Sequence, residues 1–215
     1  MVEDFFKTDG PLFNFMAKAG QIIIVSILTL ICCIPVITIV PALSALYYGT
    51  IKTIRRERGY IHKEYFRSFK HCLSKGILFS VIYEVLGGIL LFNIYVVWTS
   101  NLTYLAIYTV LLILMLMSIM YLVPVLSRFN MKMTDMIKLS LNMSVRHFPT
   151  TVLLIVIAAG IVFLQVMVLP VVTVMFIPGL WCYLTTYLIE RILKKYMTKV
   201  SENSEDDDTD AWYLE

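Results

Sequence analysis

The sequence predicts an all-α, polytopic integral membrane protein with about five transmembrane helices, or six if the first apolar region is a broken hairpin. Hydrophobic residues make up 59% of the 215 residues and charged residues only 15%, whereas soluble domains carry about 25% charged residues. The mean hydropathy is +0.80. Five apolar runs approach the roughly 20 residues that a membrane-crossing helix needs. These long runs exclude a transmembrane barrel, whose strands alternate over about 10 residues.

The predicted spans cover about residues 21–40, 76–98, 102–126, 151–169 and 171–189. They form one membrane domain over residues 1–200. The last fifteen residues, 201–215, hold seven of the fifteen acidic residues, which predicts a disordered acidic tail because such a segment cannot bury apolar surface.

The first apolar run allows two interpretations, because it continues from Gln21 to Tyr48 and Pro41 interrupts it. In the five-span version the helix ends near Pro41, and a second, amphipathic helix follows along the inner membrane surface. In the alternative, the chain crosses over residues 13–33, turns, and returns over residues 42–54. We favour five spans because the alternative places Gly49 and Lys52 inside the membrane.

Basic residues predict the orientation of the chain. Eight lie between Lys52 and Lys75, four between Arg128 and Arg146, and four between Arg191 and Lys199. Lysine and arginine concentrate in cytoplasmic loops, so these three segments are expected inside. With five spans, the C-terminus is then cytoplasmic and the N-terminus is outside.

The first two basic segments, residues 49–75 and 128–148, predict cytoplasmic amphipathic helices along the inner face. In the second, Thr134 is expected to cap the helix, with Asp135 in the first turn. Nucleic-acid binding is not expected, because the positive-inside bias accounts for the charge. The candidate contacts with anionic lipid headgroups or a partner are Arg55, Arg56, Arg58, Lys63, Arg67, Lys70, Arg128 and Arg146.

Glu84 is the acidic residue inside a predicted span, where an ionised carboxylate costs at least a few kcal/mol unless it is paired or protonated, or faces water. It is therefore a candidate intramembrane functional residue, although a structural hydrogen bond explains it equally well. Pro41 and Pro124 occur in similar Val-Pro-x-Leu-Ser contexts, and Pro178 begins a comparable stretch. The three prolines are candidate hinges.

Motifs for catalysis are absent from the sequence. The three histidines and four cysteines do not have metal-site spacing, and there is neither a phosphate-binding glycine loop nor a nucleophile elbow. We therefore expect no enzymatic activity, no cofactor and no bound metal.

The order of several motifs resembles the YesL-like family of small bacterial integral membrane proteins, a domain of unknown function. The motifs are residues 41–46, PALSAL, residues 66–70, FRSFK, residues 121–129, YLVPVLSRF, and residues 146–149, RHFP. The resemblance extends over about residues 5–198. It implies a bacterial plasma membrane and a connection with carbohydrate ABC importers and glycan degradation, but no catalytic or binding residues.

From these observations we predict a non-enzymatic accessory membrane protein. It is expected to associate with carbohydrate ABC import or glycan utilisation through residues 49–75 and 128–148. The alternative is a small transporter or channel that acts as a homo-oligomer and uses Glu84. The expected partners are the lipid bilayer, anionic headgroups and importer subunits.

Overall fold

The computed structural model describes residues 11–55, 60–98, 102–129, 131–167 and 177–201, and the regular structure in these ranges is helical. This confirms the predicted all-α class. The α-helices are α1 (Pro11–Cys32), α2 (Ile39–Gly49), α3 (Ile61–Val97), α4 (Leu102–Arg128), α5 (Met133–Arg146), α6 (Phe148–Met167) and α7 (Ile177–Ser201). A short 3-10 helix, Val36–Thr38, precedes α2, and a π-helix, Thr50–Arg55, follows it.

Within the described ranges, three helical segments are long and apolar enough to cross a membrane: Val36–Ile54, Ile61–Val97 and Leu102–Arg128. A fourth span results if Met133–Arg146 and Phe148–Ile161, bent by 89°, are counted as one. The chain therefore has the composition and helix lengths of a multi-pass membrane protein. Residues 168–176, which the sequence assigns to the fourth and fifth spans, and the tail after residue 201 lie outside the described residues.

The first apolar run is broken, so the prediction of a single span over residues 21–40 is wrong. Helix α1 ends at Cys32, and α2 begins at Ile39. Pro35 has no amide hydrogen and disfavours a helical residue before it, which ends α1. Pro41 lies in the first turn of α2, where its missing donor costs no helical bond. This confirms the prediction that Pro41 begins a new helix.

Helix α2 lies at the centre of the bundle. The five-span version predicted this helix along the inner membrane surface, so that prediction is wrong. It contacts α1, α3, α4 and α7, and all of its residues except Ile39 and Leu43 are buried. Burial of 72% of the Val36–Ile54 window contrasts with 17% for the window in α3. The apolar character of this segment therefore follows from packing inside the protein.

Three contacts fix α2 antiparallel to α3. The Val40 N–H donates to Ser80 Oγ over 3.1 Å, which satisfies a free donor at the helix start. A Cβ at Gly76 would lie 2.8 Å from Cβ of Pro41, and one at Gly49 would lie 3.9 Å from Cβ of Tyr65. Glycine at position 76 therefore allows the two helix backbones to approach.

Helix α3 continues from the basic segment into the apolar span without a break. The part of the predicted amphipathic segment 49–75 that begins at Ile61 is therefore not a separate surface element, because no residue between Ile61 and Val97 interrupts the backbone hydrogen bonds. Helix α4 returns antiparallel to α3, with Leu126 near Cys72 and Ser118 near Tyr83. It agrees with the predicted span over residues 102–126.

Helix α5 confirms the predicted helix in the second basic segment. It begins at Met133 after the N-cap Lys132, which makes no side-chain cap bond, so Thr134 is not the cap; Asp135 lies in the first turn as expected. The 89° bend into α6 agrees with a surface helix followed by a span.

Candidate functional site

The N-terminal turns of α3 present a cationic face, which we define as Lys63, Arg67 and Lys70. These residues are exposed and follow an i, i+4, i+7 spacing, so they share one side of the helix. Lys63 Nζ lies 5.3 Å from the ring centroid of Tyr60. Such a cation–π contact is worth about 0.5–1 kcal/mol at an exposed site. Of the other predicted contacts, Arg55 ends the π-helix, Arg146 is exposed on α5, and Arg56 and Arg58 lie outside the described residues.

The opposite side of the same turns packs into the core and makes the cationic face rigid. Its buried residues are Ile61, Tyr65, Ser68 and Cys72. Phe69 stacks on Tyr65, with ring centroids 6.3 Å apart and planes 11° apart. The cationic face is therefore carried by a helix held in place by packing, as a docking surface requires.

A second charged contact joins the π-helix to α3. Lys52 Nζ lies 3.2 Å from Glu64 Oε2 and 3.3 Å from the hydroxyl of Tyr48. Lys52 therefore contacts both a carboxylate and a phenol inside the protein. The sequence analysis disfavoured the broken hairpin because it places Lys52 inside the membrane, and these contacts remove that objection.

Glu84 lies on α3 directly after Tyr83, which belongs to a buried chain of hydroxyl groups. Its Oε1 atom is buried and has no hydrogen-bond partner among the described residues. The preceding residue, Tyr83, places its hydroxyl 2.8 Å from Ser118 Oγ, which is in turn 3.3 Å from Ser140 Oγ. This chain joins α3, α4 and α5, but Glu84 is not bonded to it.

Arg128 is buried inside the protein, whereas the sequence predicted an exposed contact with lipid or a partner. Its side chain is 4% exposed, and Nη2 lies 3.0 Å from Oε1 of Glu190, which is 9% exposed. The pair joins the end of α4 to α7. Its partner lies 62 residues later in the chain. The sequence around Arg128 is that of a basic segment, so it gives no sign that the side chain is buried.

A small apolar cavity of about 60 Å³ lies between α2, α4 and α7. Pro124, a predicted hinge, lines it from inside α4, four residues before that helix ends. Its ring nitrogen cannot donate to the Met120 carbonyl. Pro41 and Pro178 instead lie in the first turns of α2 and α7. The three prolines therefore occupy different kinds of helix position.

Sequence reasoning missed Glu190 and several serines that link helices, among them Ser80, Ser118 and Ser140. Glu190 had a detectable signal, because it follows directly on the fifth predicted apolar run. Ser80, Ser118 and Ser140 had none, because serine is also a common packing residue in membrane helices.

Comparison with known proteins supports the resemblance seen in the sequence. No curated protein and no solved structure matches the chain. Residues 22–94 match the model of a family described as a protein of unknown function, DUF624. The match begins in α1, includes all of α2 and the cationic face, and ends near the end of α3. Over this segment the chain carries the signature of DUF624, which agrees with the predicted resemblance to the YesL-like family.

Proposed function

We propose that this protein is a non-enzymatic accessory protein of the bacterial plasma membrane that binds a carbohydrate import or glycan-utilisation system through its cytoplasmic side. The cationic face of α3 is the observation that supports this proposal. It presents three positive charges on the exposed side of a helix whose other side is buried. The connection with carbohydrates comes from the family resemblance and not from any side chain.

The cationic face fits a partner with an acidic surface. Charge complementarity of this kind mainly raises the association rate and selects the partner, and it weakens as salt increases. Phe66, between Lys63 and Arg67, is 44% exposed and adds an apolar contact. Aromatic and arginine side chains are enriched at protein interfaces.

Affinity purification tests the proposal. Tagged protein is extracted in mild detergent from cells grown on a glycan, and co-purified importer subunits are quantified. The change of Lys63, Arg67 and Lys70 to Glu is expected to reduce their recovery at least tenfold. Glu84→Gln is the matched control on the same helix and is expected to leave recovery unchanged. The absence of every importer subunit with the unaltered protein contradicts the proposal.

The second candidate function is a small homo-oligomeric transporter or channel, favoured by the buried Oε1 of Glu84 that has no partner in the described part of the chain. A carboxylate in a membrane helix that is not paired is a candidate for proton or ion coupling. Glu84→Gln in reconstituted vesicles distinguishes the two functions. A transporter loses proton-coupled flux with this variant, whereas the accessory protein keeps its partner.

A further inference from the structure

The exposed residues along α3 indicate which part of this helix lies in the membrane. Exposed large apolar residues run along it from Leu78 to Trp98, whereas Lys63 to Lys70 carry the cationic face. Twenty residues of α-helix are about 30 Å long, which matches the hydrocarbon core of a bilayer. Tyr95 and Trp98, 81% and 69% exposed, lie at the far end, as expected for aromatic residues at the opposite interface.

Helix α5 marks the near boundary independently. Its buried Ser140 reaches Ser118 of α4 and, through it, Tyr83 of α3. The other side of α5 exposes Lys138 and Arg146 to the surroundings. A helix with this surface fits the headgroup region, so the near boundary lies between about Leu78 and Tyr83.

Helix α2 pairs with the part of α3 that lies before this boundary. Gly49 packs on Tyr65, Pro41 on Gly76, and Val40 on Ser80. From Ser80 to Trp98 there remain 18 residues of α3, or about 27 Å of helix. Residues 33–38, which join α1 to α2, cannot reach that far and return, since an extended chain gains at most about 3.6 Å per residue.

The turn between α1 and α2 has an apolar surface. Ile34 is 76% exposed, and Ile31, Val36 and Ile37 are 57%, 57% and 47% exposed. Four exposed aliphatic side chains at the tip of a turn are unusual next to water, where tips carry polar residues. They suit contact with hydrocarbon.

Hydrogen bonds inside the turn also suit a medium without water. The N–H groups of Cys33 and Ile34 donate to carbonyls of α1, and that of Thr38 donates to Pro35. The Thr38 hydroxyl also lies within hydrogen-bond distance of the carbonyls of Cys32 and Pro35. Backbone groups left without a partner cost several kcal/mol each in lipid. These hydrogen bonds lower the cost of placing the turn in hydrocarbon.

We infer that the α1–α2 turn, residues 31–37, is a wedge that inserts among the acyl chains of the leaflet on the cationic side and returns without crossing the bilayer. Its partner is the lipid of that leaflet. The N-terminus then lies on the same side as the cationic face, opposite to the position expected from five spans. Among the described residues, α3, α4 and the bent pair of α5 and α6 remain as the candidate crossing segments.

Cysteine labelling tests the depth of the wedge. Single cysteines replace Val36, Lys63 or Trp98 in a variant whose four native cysteines are changed to alanine or serine. With a membrane-impermeant maleimide, Trp98→Cys is expected to react in intact cells, and Lys63→Cys only after permeabilisation. Val36→Cys is expected to react at less than a tenth of either control in both conditions. Strong labelling from outside shows a crossing hairpin, strong labelling from inside shows a tip in water, and either result overturns the inference.

Two further measurements cover the cases that labelling leaves open. A bimane group on Val36→Cys in vesicles is expected to be quenched more by nitroxide lipids labelled near the headgroup than by lipids labelled at the chain end. The reverse order overturns the inference.

If the variant without native cysteines does not fold, green fluorescent protein fused to the N-terminus of the natural sequence tests the same topology. Fluorescence is expected, and a dark fusion that is present by immunoblot overturns the inference.

Discussion

Gly76→Ala tests the central packing of the fold. The new Cβ would lie 2.8 Å and 2.9 Å from Cβ and Cδ of Pro41. The closer contact is roughly 0.7 Å shorter than the comfortable carbon–carbon separation of about 3.5 Å. The proline ring cannot rotate away, and the Val40–Ser80 hydrogen bond holds α2 against α3. The helices must therefore separate, at a cost of about 1–3 kcal/mol for overpacking.

Thermal unfolding in detergent, followed by size-exclusion chromatography with fluorescence detection, measures this cost. For a chain of this size, 1 kcal/mol corresponds to about 2–4 °C, so Gly76→Ala is expected to lower the Tm by about 2–12 °C. Gly88→Ala is the matched control, since it lies three turns further along α3 and its Cβ would meet no atom within 4 Å. It is expected to leave the Tm unchanged or raise it slightly through helix propensity. Equal Tm values for the two variants refute the proposed helix contact.

Three other changes address different contacts. Ser80→Ala removes the acceptor for the Val40 N–H and is expected to cost about 1–3 kcal/mol, measured as a lower Tm; an unchanged Tm contradicts the cap. Arg128→Met is expected to cost about 3–5 kcal/mol because it leaves a buried carboxylate, and the added change Glu190→Leu is expected to restore part of the loss. In that double-mutant cycle, additive losses exclude the ion pair. Gly179→Ala introduces a Cβ 2.8 Å from a backbone carbonyl of α1 and is expected to lower the Tm at least as much as Gly76→Ala.

The sequence predicted the elements whose signal is local. Long apolar runs predicted α4 and the apolar part of α3, and Pro41 predicted the start of α2, because proline restricts the backbone next to it in any context. It did not predict that α2 is buried. A helix surrounded by lipid and a helix surrounded by other helices have the same apolar composition, so hydropathy does not separate them.

The candidate site divides in the same way. Lys63, Arg67 and Lys70 were predicted as lipid or partner contacts because they lie in a basic segment, and the structure places all three on the exposed side of α3. Arg128 looked equivalent and is buried against Glu190. Whether a cation meets solvent or a carboxylate depends on which distant helix returns to it.

By itself the sequence determined that the chain is helical and lies in a membrane. Long apolar runs favour the hydrocarbon region, and backbone groups in hydrocarbon must form their hydrogen bonds within their own helix. It also determined where the backbone breaks, since proline acts locally. Only the tertiary structure decided which helices touch each other. The contacts of Pro41 with Gly76 and of Val40 with Ser80 place the start of α2 beside the middle of α3, and they depend on residues 35 to 40 positions apart.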